Sequence, residues 1–230
     1  MLWLRIKREG NSNKLKKVIP KQAVISLFIL IAALAYAIIR YNIIKGDSWS
    51  KLPLFVSNKA IALSAVVFIA ISFLLGPLAR FWPRKFVSLL YLRKYFGLLG
   101  FGLVAVHTLI SLLLFTPGYY PKFFSIEGKL NFVGELSMLF GVLAFFIFLI
   151  IAVTSIPSVE ALIAPKRWKT IQRLGYLAFV FVMLHVATMG AAGWLKPEGW
   201  PGGLLPISLI AFVIILVTLL IRIVVLVLQF

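Results

Sequence analysis

Two histidines, His107 and His185, are the only ones in 230 residues, and each sits inside an apolar run. The runs are "FGLLGFGLVAVHTLISLLLF" (96–115) and "LGYLAFVFVMLHVATMG" (174–190). An ionisable side chain buried in such a run costs free energy unless something gives it a partner. Neutral imidazole is a good ligand for haem iron, which accepts one ligand on each face. Two histidines at one depth on neighbouring helices are therefore what a membrane-embedded haem b requires. Two other readings compete. Each histidine can hydrogen-bond a neighbouring helix and hold a bundle together, or both can serve a proton relay or transport path. No C-x-x-C-H run occurs, so covalent haem attachment is excluded. Zinc and copper are disfavoured, because no carboxylate or thiolate supports the imidazoles at that depth.

The surroundings of the two histidines match. Gly97 and Gly175 each precede a histidine by ten residues, with a basic residue (Lys94 or Arg173) shortly before each glycine. Gly100 lies seven residues before His107 and Ser111 four after, both near its helical face. Small residues there let a flat group approach the backbone, which places Gly100 beside the cofactor.

The elements that must position these side chains follow from composition. Hydrophobic residues make up 62% of the chain and charged residues 13%, against about 45–50% and about 25% in globular proteins. Apolar stretches long enough to cross about 30 Å of hydrocarbon recur along the sequence. The fold class is an all-α integral membrane protein, a six-transmembrane-helix bundle in the cell membrane. The spans are read at 23–39, 60–79, 95–115, 132–153, 174–192 and 204–221, after a basic segment over 1–22. That basic leader, the first apolar run and "ALAYA" mimic a cleaved signal peptide, but the run is long enough to span. Arg222, near the end of the last span, is expected to snorkel toward the interface.

Seventeen of the 24 Lys and Arg fall on the side of the termini, which places both termini in the cytoplasm. The formal charge of +18 is then a matter of anionic membrane lipid, and no folded basic domain exists to bind nucleic acid. The absence of cysteine removes disulfides, iron–sulfur clusters and thiol nucleophiles. Glu135 and Glu160 fall near the membrane surfaces rather than mid-span, where a proton pump needs a carboxylate. Serine hydrolase, P-loop and dinucleotide motifs are absent.

The run "TSIPSVEALIAPKRWKTIQRLGYLAFVFVMLHVATMG" (154–190) resembles the STEAP metalloreductases of the ferric-reductase-like superfamily. The T-S-[IL]-P-S-V turn, the L-G-Y and the histidine nine residues after that tyrosine carry the likeness. "FGLLGFGLVAVHTLISLLLFTPGYY" (96–120) is similar to the third span of that family. The resemblance implies a ferric-reductase-like transmembrane domain over 23–230, with a haem core at about 90–195. It implies one haem b, its iron held by His107 and His185 toward the outer side. Superfamily oxidases carry a second histidine on each helix for an inner haem. Here the corresponding positions, 13–14 residues earlier, are Lys94/Arg93 and Gln172/Ile171. In STEAP proteins that inner space holds a flavin, so the resemblance implies FAD or FMN on the cytoplasmic side near Gln172, Arg173 and Trp168. No nicotinamide domain is present in the sequence. A bacterial relative, the haem membrane subunit of a methionine sulfoxide reductase system, also works without one.

The expected activity is that of a haem-containing oxidoreductase, metalloreductase-like, with no catalytic side chain of its own. Electrons come from a separate flavin reductase or quinol donor and leave to an outer acceptor, a ferric or cupric chelate among the candidates. Lys45, Lys51, Lys122 and Lys129, with Tyr119 and Tyr120, are placed to attract an anionic chelate. The rival is a non-redox transporter subunit or membrane assembly factor with structural histidines. The sequence leaves the oligomeric state open, a homo-oligomer included.

Overall fold

The structure, a computed structural model, describes residues 20–228, so most of the basic segment 1–22 lies outside it. Six long helices dominate the described residues. They are α1 (Lys21–Ile38), α2 (Ser57–Phe81), α3 (Leu92–Leu114), α4 (Phe132–Val153), α5 (Pro165–Trp194) and α6 (Ile207–Val227). All six belong to stretches long and apolar enough to cross a membrane. The chain is a multi-pass membrane protein.

Local signals explain the ends. Pro165 opens α5 at a position where its missing N–H costs nothing. Asn131 caps α4 by accepting the Gly134 N–H at 3.0 Å. α2 stops at Trp82, just before Pro83. Wide π-helical turns continue α1 over Ile39–Ile44 and lead into α2 over Leu52–Val56. Several spans are longer than hydropathy implies, α5 by the most because it begins at Pro165.

Packing follows two tight antiparallel pairs, α2 with α3 and α4 with α5. α6 bridges α2 and α5, and α3 touches α4 only lightly, so the order around the bundle is α3, α2, α6, α5, α4. α1 packs on the outside of α2. The two histidine-bearing helices, α3 and α5, are thus not neighbours in direct contact but face each other across the interior. Near Gly175 the interior is crossed by an aromatic contact. Phe73 of α2 reaches α5, its ring 4.7 Å from Tyr176 and 5.4 Å, edge-on, from Phe179.

Gly175 allows this close approach, since a Cβ there would lie 2.7 Å from the Phe73 ring. Gly100 does similar work between α3 and α2. A Cβ on Gly100 would lie 2.7 Å from Ile69 Cγ1 and 3.3 Å from the Ala65 carbonyl. The expectation that Gly100 leaves room for a flat cofactor is corrected here. It shares a face with His107, as the spacing predicts, but what fills that space is the backbone of α2.

Candidate functional site

Each helix pair orients one imidazole. On the first pair, His107 Nδ1 lies 2.9 Å from Oδ1 of Asn58, a fully buried residue of α2. The Asn58 amide donates its Nδ2 to Ser111 Oγ at 2.9 Å, which turns Oδ1 toward the ring. Ser111 Oγ is 3.4 Å from the same Nδ1. On the second pair, His185 Nδ1 lies 2.8 Å from the backbone carbonyl of Ser137 in α4, with Ser137 Oγ at 3.2 Å. One turn further along α4, Gly141 lets the ring settle against the helix. A Cβ there would stand 3.1 Å from His185 Nδ1.

These contacts set the tautomers. A carbonyl oxygen only accepts, so each Nδ1 carries the hydrogen and the neutral ring keeps its lone pair on Nε2. Neither Nε2 has a hydrogen-bond partner among the described residues. Two neutral Nε2 atoms, each on a ring held by a carbonyl behind it, are donors of the kind that would hold haem iron. No three His, Cys, Asp or Glu side chains converge among the described residues, so no protein-only metal cage is built there.

A family model described as ferric reductase like transmembrane component matches residues 60–183, more than half of the sequence. The chain belongs to that family. The match takes in His107 and Ser137 and ends just short of His185. The mouse and human proteins named Metalloreductase STEAP2 are each 28% identical to this ferric reductase-like chain over 166 residues. Those alignments cover 61% of the chain and 34% of each relative, so it spans about a third of the relatives' length. The resemblance drawn from the motifs at 96–120 and 154–190 is therefore borne out. The family description names a ferric reductase-like transmembrane component, and the relatives' own name is that of metalloreductases.

The residues expected near a flavin divide between two faces of α5 in this ferric reductase-like chain. Trp168 Nε1 donates to the Thr154 carbonyl at 3.0 Å, and Gln172 Nε2 donates to Ser155 Oγ at 3.2 Å. Both lie on the turn that closes α4. Arg173 instead lines a groove toward α6. The positions where oxidases of the superfamily place inner-haem ligands are engaged as well. Arg93 Nε donates to the Ser72 carbonyl at 3.2 Å, and Lys94 pairs with Glu160 at 2.9 Å.

At the opposite end of the bundle the cations are unequal. Lys45 and Lys51 share Asp47, and Lys129 pairs with Glu127. Lys122 donates to the Met189 carbonyl. Lys59, next to Asn58, has no carboxylate partner among the described residues and lies among three rings. They are Phe55 at 4.3 Å, Tyr41 at 5.1 Å and Tyr120 at 5.8 Å. Burial pushes the Tyr120 phenol up to about 12, so this ring stays neutral. Asn58, Ser137, Gly141 and Lys59 are the site residues that sequence reasoning missed.

Proposed function

We propose that the chain carries electrons across the membrane through one haem b held by His107 Nε2 and His185 Nε2. The donor is a flavin (FAD or FMN) served by a separate flavin reductase, or a quinol, on the cytoplasmic side. The acceptor lies outside, with ferric and cupric chelates the chemical class in view. When bound, the haem supplies a one-electron carrier that needs no proton from its ligands. The observation that carries this reading is the pair of outward-held Nδ1 atoms. Asn58 and the Ser137 carbonyl hold both rings as the ligand tautomer and keep them from rotating. The aromatic contact of Phe73, Tyr176 and Phe179 occupies space between α2 and α5 on the Gly175 side of His185, which supports a single haem level. Lys59, uncompensated beside Asn58, supplies positive potential at the outer mouth for an anionic chelate.

One observation favours the rival. Each histidine does bond a neighbouring helix, as a purely structural residue would. That role accounts for Nδ1 but gives neither Nε2 a partner among the described residues, which leaves both lone pairs open to iron. Reduced-minus-oxidised spectra of protein purified from haem-sufficient cells separate the two readings. A low-spin band that shifts on reduction is expected, and a featureless difference spectrum overturns the proposal.

Two further results are expected. Gly141→Val pushes the His185 ring off α4, so haem content per protein should fall about ten-fold, as when an outer-shell support is lost. Unchanged content would show that this contact does not position the ring. For electron supply, NADPH alone should leave the haem oxidised. Adding a flavin reductase with free flavin should reduce it, and salt should slow that step if the basic loops guide the donor. Prompt reduction by NADPH alone would refute the separate donor, and salt-independent rates would remove the role of the loops.

A further inference from the structure

Two guanidiniums lie at one end of a groove of about 640 Å³ between α5 and α6. Arg173 and Tyr176 come from α5 and Arg222 from α6, with the Arg222 guanidinium 5.1 Å from the centre of the Tyr176 ring. Beyond them the wall is wholly apolar, running past Val180, Met183 and Leu216. From Leu216 to Leu226 the groove follows about 15 Å of helix. Among the described residues neither arginine has a carboxylate partner. Arginine within a spanning helix normally has a counter-charge. The Arg222 head lies on the Tyr176 ring beside this groove.

We infer that the groove holds one anionic phospholipid, its phosphate between Arg173 and Arg222 and an acyl chain along Val180, Met183 and Leu216. Charge complementarity selects this occupant. Basic pockets between spanning helices suit anionic headgroups, and the apolar wall continues the bilayer. A quinol fits less well, because the groove offers two cations and a phenol but no carboxylate or imidazole to take its protons.

The test is native mass spectrometry of the full chain released from nanodiscs of phosphatidylcholine with or without phosphatidylglycerol. One retained phosphatidylglycerol per chain is expected, in preference to phosphatidylcholine. Affinity should fall about five-fold in Arg173→Gln and about 30-fold in the double variant with Arg222→Gln. Arg173 is exposed, so its single variant keeps the test valid if the double variant misfolds. Glycerol phosphate added as a competitor should displace little, since it lacks the chain. Equal retention of the two lipids, or unchanged affinity in Arg173→Gln, overturns the assignment. So does co-purified flavin lost in Arg173→Gln with lipid retention intact, which would give the arginine to the flavin.

Discussion

Alanine at either His107 or His185 should remove bound haem completely while leaving a membrane-inserted protein. The expectation rests on the geometry of the two pairs. His107 is held from α2 and His185 from α4, and no other histidine, cysteine or paired carboxylate lies nearby to substitute. A single remaining imidazole cannot hold a six-coordinate low-spin iron. The helices themselves should survive, because their contacts run through Gly100 against Ile69 and Gly175 against Phe73, away from the rings. The measurement is haem content and the difference spectrum of each variant, with membrane insertion checked in parallel. A wild-type spectrum in either one rules out shared ligation.

The second large effect belongs to Asn58. Asn58→Ala removes the acceptor from His107 Nδ1 and leaves Ser111 Oγ, at 3.4 Å, as the only nearby oxygen. The ring then loses both its orientation and part of its basicity, and haem affinity should drop about 10–100-fold. Asn58→Asp provides the control. A carboxylate is a stronger acceptor, makes the imidazole a better donor to oxidised iron and should lower the midpoint potential. Haem titration and redox titration read the two effects separately. If Asn58→Ala binds haem like the wild type, the asparagine is a packing residue and not a positioning one.

The spans and the two intramembrane histidines were legible because their signals are local. An apolar run long enough to cross the bilayer, interrupted by one histidine, needs no knowledge of its neighbours. Family motifs around 96–120 and 154–190 were equally readable. What surrounds the ligands was not. Asn58 becomes relevant only through the antiparallel register of α2 against α3, which no stretch of sequence displays. Ser137 contributes a backbone carbonyl, and a main-chain group has no signature in residue type. Gly100 was assigned the right face and the wrong neighbour, because spacing gives direction along a helix but not what lies opposite. Residues 165–173 of α5 escaped the hydropathy reading, since their lysines and arginines hide a helix that Pro165 starts. Lys59 stands apart only once Lys45, Lys51 and Lys129 are seen to pair with Asp47 and Glu127.

The two imidazoles are supported by different kinds of oxygen, and that asymmetry has an evolutionary reading. Behind His107 stands a side-chain amide, which a single codon change can exchange for a carboxylate, a hydroxyl or nothing. Behind His185 stands a peptide carbonyl, which no codon encodes and which lasts as long as α4 keeps its path. Selection acting on the electronic character of the site therefore has one adjustable screw and one fixed stop. Descendants of this sequence that work at different potentials should differ at position 58 long before they differ in the way His185 is held.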